Sequence, residues 1–151
     1  MNDAHHRTRC RVIYADTDAG GVVYHATYLR YCEIGRSELM RGIGLVYQHI
    51  EEQGIILPVT ECRLRFKAPA RYDDMITVDT HVGSLTGFTC RFNYRIEREQ
   101  ADQPKPTLLV KGFTVHAAIT KAGRLIRIPE SIYTPLHRLC QATDNSSQTG
   151  T

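Results

Sequence analysis

One short stretch of the sequence, YADTDAGGVVYHATYLRYCE at residues 14–33, combines two carboxylates, a glycine pair and a histidine. Asp16 and Asp18 lie two residues apart, and His25 follows where a helical pattern begins. The first amides of a helix lack acceptors within the helix, and with the helix dipole they attract negative charge. Such amides could stabilise a carbonyl oxygen that becomes an oxyanion during attack on its carbon. The stretch therefore predicts a site that pairs a carboxylate with oxyanion donors.

Either carboxylate of this stretch is chemically suited to act. The helix dipole favours the ionised form, so a carboxylate here could attack a carbonyl carbon or activate a water molecule. Asp16 and Asp18 would share one face of an extended strand, so their spacing does not choose between them. Asp18 is nearer to Gly20, Gly21 and the start of the helix, whereas Asp16 could satisfy turn or capping amides. The glycine pair would let a ligand approach the backbone closely.

Simpler interpretations of the same residues stay open at this stage. An Asp-Thr-Asp sequence before two glycines is typical of turn and helix-capping chemistry without catalysis. A hard-metal site built from Asp16, Asp18 and His25 is a further candidate, but no additional ligand is spaced to complete it. Three more histidines show no partner pattern and are interpreted as structural: His49, His81 and His116.

The segments around this stretch predict an α+β fold. Alternation predicts a strand at residues 9–16, and apolar residues at helical spacing predict a long helix from about His25 to the GIG sequence at residues 42–44. Gly35 in the apolar stripe would let another segment come close. A short helix is predicted up to Gly54, and about four alternating strands follow, which favours an antiparallel sheet packed on the long helix. The alternating segments read ECRLRFKAPAR, MITVDTHV, FTCRFNYRIER and TLLVKGFTVHAAI.

The composition is ordinary for a globular protein. Of 151 residues, 42% are hydrophobic and 23% are charged, which is enough for one domain with a core. The net charge of +3 comes from scattered basic residues and favours a small anionic ligand over a nucleic acid. The five cysteines form no CxxC pair, so we expect reduced thiols, most of them buried. Without a signal-like segment or a membrane span, a cytoplasmic protein is expected.

Three parts of the chain are expected. Residues 1–8 are predicted to be a flexible N-terminus, residues 9–140 a single domain, and residues 141–151 a disordered tail. The last predicted element is a short amphipathic helix from Glu130 to Leu139, because the tail beyond it has too few apolar side chains to fold.

The stretch at residues 14–33, together with FKAPARYDDMITVDT at residues 66–80, resembles the hotdog-fold acyl-CoA thioesterases. Within them it is similar to the 4-hydroxybenzoyl-CoA thioesterase type, in the branch encoded beside the Tol-Pal genes of Gram-negative bacteria. The resemblance runs from about Arg9 to Ile132. It implies a hotdog fold, in which a curved antiparallel sheet wraps a long central helix, and homodimers that assemble into homotetramers.

The resemblance also implies an activity. By motif position the catalytic carboxylate falls on Asp18, and the backbone amide that polarises the thioester carbonyl falls on His25. The implied reaction is hydrolysis of an acyl thioester to free CoA and a carboxylic acid, with Asp18 as nucleophile or general base. No metal or redox cofactor is needed, because CoA is part of the substrate. The His25 side chain would orient substrate or water.

Further residues are implied to contact the substrate. Gly21 and Tyr24 are expected substrate contacts, although Gly21, like Tyr28, matches a family position that shapes the turn and the helix face. Arg124 and Arg127 lie where relatives place basic residues near the CoA phosphates. Relatives often carry a base in the turn that reads SLTGF here, where Thr86 stands in its place. Weaker phosphate-binding candidates are Lys67, Arg71 and Arg91.

Two other functions remain as alternatives. A protein of the same fold could hold an acyl thioester, or dock on acyl carrier protein, without turnover; the presence of both Asp18 and His25 favours an enzyme. A hotdog dehydratase is less favoured, because its catalytic histidine and acid are arranged differently along the chain. Acyl carrier protein is a further candidate partner of the thioesterase, since the Tol-Pal branch is linked to phospholipid synthesis.

Overall fold

The structure is a computed structural model that describes residues 4–148, and side chains through residue 144. A short 3-10 turn at Tyr14–Asp16 separates the first strand from the first helix. The helices are α1 (Thr27–Gly42), α2 (Tyr47–Glu52) and α3 (Glu130–Gln148). The strands are β1 (His5–Arg11), β2 (Ile55–Ile56), β3 (Val59–Phe66), β4 (Met75–Leu85), β5 (Thr89–Arg98), β6 (Thr107–Thr120) and β7 (Leu125–Ile126).

All strand pairs of the sheet are antiparallel. The strand order runs β1-β4-β5-β6, β3 pairs with β6, and the short strands β2 and β7 also pair with β6. Helix α1 packs against β1 and β4 on one face of this sheet. The α+β prediction of one long helix on an antiparallel sheet is confirmed.

The apolar stripe of α1 faces the sheet as predicted, with Tyr28, Cys32, Gly35 and Leu39 all buried. A Cβ atom on Gly35 would lie 2.5 Å from Thr80 Oγ1 and 2.7 Å from the Val78 side chain. The expected close approach is therefore present, and the approaching atoms are side chains of β4. At the end of α2, Gly54 has φ of +84°, which is the left-handed conformation that glycine adopts after a helix.

Strands β5 and β3 differ in how well alternation predicted their burial. In β5 the predicted inner face is buried at Cys90, Phe92, Tyr94 and Ile96, while Phe88 lies in the preceding turn and is exposed. In β3 the predicted apolar face is largely uncovered: Cys62 is exposed and Phe66 is 52% exposed. Among the described strands, β3 pairs only with β6, whereas α1 packs against β1 and β4 at the other end of the strand order. Alternation identified the strand but not its edge position.

Both ends of the chain carry more structure than predicted. Residues 5–8, expected to be flexible, belong to β1 and pair with β4, whereas the predicted strand end at residues 14–16 is a 3-10 turn. Helix α3 continues to Gln148, although residues 141–148 were predicted to be disordered. No glycine or proline follows Pro135 before Gly150, and extending a formed helix is easier than starting one. The rest of the predicted tail, residues 149–151, lies outside the described residues.

Two further sequence expectations can be compared with the described residues. All five cysteines are free, but only Cys32 and Cys90 are buried, so the expectation that most would be buried is wrong. None of the described helices is long and apolar enough to cross a membrane.

Candidate active site

A tight loop carries Asp18 between the 3-10 turn and α1. The Asp18 loop, residues 17–23, is closed by a bridge between Thr17 and Val23 and by a hydrogen bond from the Asp18 amide to the Val22 carbonyl at 2.9 Å. Inside it, the Gly21 amide donates to the Asp18 carbonyl at 3.0 Å, and Gly21 has φ of +81°. A side chain at residue 21 would be strained in this left-handed conformation, so glycine fixes the loop shape.

Only one oxygen of the Asp18 carboxylate accepts a hydrogen bond within this loop. Its Oδ1 atom accepts a hydrogen bond from the Gly20 amide at 2.8 Å, an Asx turn that holds the side chain in place. Among the described residues, its Oδ2 atom has no hydrogen-bond partner. The side chain lines a shallow depression that also contains Tyr14 and Tyr72. Asp18 therefore combines a fixed orientation with one oxygen open to a substrate or water.

The start of α1 offers unpaired amides next to this loop. The Thr27 amide donates to the Tyr24 carbonyl at 2.9 Å, and the Leu29 amide donates to the Ala26 carbonyl at 3.2 Å. Within residues 4–148, the amides of His25 and Ala26 have no acceptor. The His25 side chain is exposed, and its ring lies 4.5 Å from the Tyr24 ring between centroids. This geometry suits the binding of a carbonyl oxygen that gains negative charge.

Asp18 and His25 line two neighbouring depressions in the part of the chain that the structure describes. His25 lines a neighbouring depression with Tyr28 on α1, Phe66 at the end of β3, and Pro69. Asp18 lies in the separate depression described above. The chain thus brings the two residues to one strand-to-helix corner and leaves the His25 depression bordered by an uncovered edge strand.

Asp16 has a different environment from Asp18. It is only 3% exposed, and its Oδ2 atom accepts hydrogen bonds from the Ile13 amide at 3.0 Å and from the Tyr31 hydroxyl at 2.8 Å. Its Oδ1 atom accepts a hydrogen bond from Arg30. Burial alone would raise the Asp16 pKa, but these hydrogen bonds and the Arg30 charge outweigh it and hold the pKa below its usual range. Asp16 is therefore an ionised structural residue.

The candidate metal site of Asp16, Asp18 and His25 is not assembled. The Asp16 carboxylate points inward to Arg30 and Tyr31, away from the loop that carries Asp18. In the part of the chain that the structure describes, one other group of three potential metal ligands lies together: His5, Asp79 and His81. The other two histidines discussed above differ in exposure, since His116 is buried and bonded to Thr114 and Leu57 while His49 is exposed on α2.

The predicted phosphate-binding residues lie at the β6–β7 turn and after β7. Arg124 is exposed in the turn, and the Arg127 guanidinium lies 5.0 Å from the centre of the Phe88 ring. Arg127 also covers Gly87, where an added Cβ would lie 2.8 Å from its Nη2 atom. Arg127 thus supplies a positive charge at the turn where the sequence has Thr86 in place of a base. Neither arginine lines the depressions of Asp18 or His25.

The second sequence motif packs directly on the first. Val22 forms a bridge with Arg71, and the Val23 amide donates to the Ala70 carbonyl at 2.9 Å. The Ala70 amide in turn donates to the Tyr28 hydroxyl on α1 at 3.1 Å. Sequence reasoning missed the supporting residues Arg30 and Tyr31. The available signal was an arginine and a tyrosine one helical turn into α1, both able to donate a hydrogen bond to an aspartate that precedes the helix.

The family model of the thioesterase-like superfamily matches residues 12–136, and the chain belongs to this family. The hotdog fold expected from the resemblance is confirmed.

Particular relatives agree with this assignment. The chain is 34% identical to the acyl-CoA thioesterase YbgC of Haemophilus influenzae over 132 residues, which is 85% of this chain and 92% of that protein. It is similar to the structure of DHNA-CoA thioesterase from Staphylococcus aureus, with TM-score 0.82, 26% identity, and coverage of 97% of this chain and 95% of that one. A 4-hydroxybenzoyl CoA thioesterase structure shares the fold at TM-score 0.79 and 20% identity, covering 91% and 99% of the two chains.

Proposed function

We propose that this protein is an acyl-CoA thioesterase, which hydrolyses an acyl thioester to free CoA and a carboxylic acid. The observation that carries the proposal is that two features lie at one strand-to-helix corner. Asp18 has an oriented carboxylate with one open oxygen, and the amides of His25 and Ala26 have no acceptor among the described residues. Membership of the thioesterase-like superfamily and relatives named as acyl-CoA thioesterases support it.

In the proposed mechanism the thioester carbonyl oxygen accepts a hydrogen bond from the His25 amide. Asp18 then follows one of two routes. As a nucleophile it attacks the carbonyl carbon, the C–S bond breaks, CoA leaves as the thiolate, and water hydrolyses the resulting mixed anhydride. As a general base it takes a proton from a water molecule that attacks the same carbon, the C–S bond breaks, and the proton passes to the leaving CoA thiolate. Both routes consume one water and use no metal or redox cofactor.

The nucleotide end of CoA carries several negative charges, for which Arg127 and Arg124 are the proposed partners. Arg127 is held over the Phe88 ring, so its charge is oriented at the surface. Gly21 and Tyr24 are proposed to border the acyl thioester. The proposal for Tyr24 is supported by its 47% exposure and by its position directly before His25.

A second copy of the chain is the proposed neighbour of β3. Val59 is 47% exposed and Phe66 is 52% exposed, so both ends of β3 present an apolar side chain at the surface. One edge of β3 is unpaired among the described strands, and pairing with another β3 would cover it. Phe66 also lines the depression of His25, so a homodimer would complete that wall. Assembly of dimers into homotetramers, the Tol-Pal association, a cytoplasmic location and acyl carrier protein as partner stay predictions.

The test is a thiol-release assay with acyl-CoAs of different chain lengths and aromatic acyl groups. We expect turnover by the wild-type protein and a loss of kcat of about 100-fold or more in Asp18→Asn, the range that a positioned acid or base supplies. The alternative, a binding protein without turnover, would show tight acyl-CoA binding but no thiol release. Wild-type turnover in Asp18→Asn would exclude the proposed role of Asp18.

A further inference from the structure

Asp16 connects to both sides of the candidate site through its backbone as well as its side chain. Its carbonyl oxygen accepts a hydrogen bond from the Tyr24 amide at 2.9 Å and a longer one, 3.4 Å, from the Thr27 hydroxyl. Tyr24 directly precedes His25, and Thr27 is the first residue of α1. Two residues after Asp16, the chain reaches Asp18. Asp16 thus directly precedes the Asp18 loop and is bonded to Tyr24, the residue that directly follows the loop.

The side chain of Asp16 is what fixes that backbone in place. Its carboxylate accepts hydrogen bonds from Tyr31 and Arg30, which lie one turn into α1, and from the Ile13 amide before the 3-10 turn. Tyr31 is 1% exposed and Asp16 is 3% exposed, so the bond between them is part of the packed interior. The carboxylate therefore ties the 3-10 turn to the helix.

We propose that Asp16 is a positioning residue, which fixes the Asp18 loop against the start of α1 so that the Asp18 carboxylate and the His25 amide address the same carbonyl group. This inference rests on the proposed thioesterase function, and it gives a positioning role to Asp16, which is not one of the proposed site residues. Reacting groups must be held at about 3 to 3.5 Å, and a misplacement of about 1 Å can cost about 100-fold in rate. Asp16 itself contacts no substrate.

The chain offers a matched pair of variants for the test. Tyr31→Phe removes the buried hydroxyl that donates to Asp16. Tyr94→Phe removes another buried hydroxyl, which is bonded to Thr114 Oγ1 at 2.6 Å on the inner face of the sheet. Tyr94 is 2% exposed, so both substitutions delete a buried hydroxyl, although the bond of Tyr31 to a carboxylate is the stronger type. Thermal unfolding of both variants shows whether their losses of stability are alike.

Activity then separates positioning from general stability. With acyl-CoA as substrate, we expect kcat of Tyr31→Phe to fall about tenfold, kcat of Asp16→Asn to fall about 100-fold, and kcat of Tyr94→Phe to stay within about twofold of wild type. KM should change by less than about threefold, because the proposed phosphate-binding residues lie elsewhere. The pH profile of kcat should keep its shape in Tyr31→Phe, since a positioning residue does not exchange the catalytic proton.

The outcomes distinguish this inference from the function beneath it. Equal kcat values in Tyr31→Phe and Tyr94→Phe, alongside wild-type turnover that depends on Asp18, would overturn the positioning role and leave the thioesterase function intact. Absence of turnover in the wild-type protein with every acyl-CoA would overturn both. If Asp16→Asn does not fold, the comparison of the two tyrosine variants still decides.

Discussion

Replacing Gly35 by alanine tests quantitatively how closely α1 packs on the sheet. In Gly35→Ala the new Cβ would lie 2.5 Å from Thr80 Oγ1 and 2.7 Å from Val78 Cγ1, and both of those residues are fully buried. Overpacking a filled core typically costs 1–3 kcal/mol, and such short contacts place the cost at about 3 kcal/mol. Replacing glycine by alanine in a helix returns about 1 kcal/mol. We expect a net destabilisation of about 2 kcal/mol.

The measurement is thermal and urea unfolding followed by circular dichroism. For a domain of this size, 2 kcal/mol corresponds to a fall in Tm of about 4–8 °C. Gly42→Ala is the matched control, because it lies in the same helix and its new Cβ would meet nothing closer than His6 Nδ1 at 4.0 Å. That variant should unfold at or slightly above the wild-type temperature.

A second substitution tests the cause of the loss. The Thr80 hydroxyl is buried without a hydrogen-bond partner among the described residues, so Thr80→Ala removes the closest contact without breaking a bond. In the double variant Gly35→Ala/Thr80→Ala, the destabilisation should be smaller than the sum of the two single effects, by about 1 kcal/mol or more. Gly35→Ala with wild-type or higher stability would refute the packing argument.

Three further predictions address the loop, the buried carboxylate and the CoA contact. Gly21→Ala places a side chain at φ of +81° and should cost about 1–2 kcal/mol in urea unfolding and lower kcat. The lowered pKa of Asp16 means that its stabilisation is complete above the usual value of 3.8 and is lost as pH falls below it, so the stability difference between wild type and Asp16→Asn should shrink in acid. Arg127→Gln should raise KM for acyl-CoA about tenfold and leave KM for an acyl-pantetheine unchanged, because the latter lacks the nucleotide.

Periodicity was enough to predict the elements whose two faces have different environments. The stripe of α1 and the inner face of β5 are buried as predicted, because each has one side against the core and the other toward solvent. Strand β3 shows the same alternation but lies at the edge, where neither face is covered. Position in the sheet depends on pairing between distant segments, which a local pattern does not encode.

The ends of the chain were mispredicted for a related reason. Residues 5–8 are mostly polar, and they are ordered through pairing with β4, through a hydrogen bond between His5 and Asp79, and through an ion pair between Arg7 and Asp79. A polar composition excludes burial in the core. It does not exclude a strand whose backbone is paired and whose side chains lie on the solvent face of the sheet.

The choice between the two aspartates shows what the structure adds at the site. On an extended strand Asp16 and Asp18 would have been equivalent, but the 3-10 turn at residues 14–16 rotates Asp16 into the interior. There its two oxygens accept three hydrogen bonds, and a carboxylate with a lowered pKa and no access to solvent is a poor base. Asp18 keeps one oxygen free. The buried acid and the open acid thus suit two tasks, and the rigidity of the first supports the geometry that the second would need.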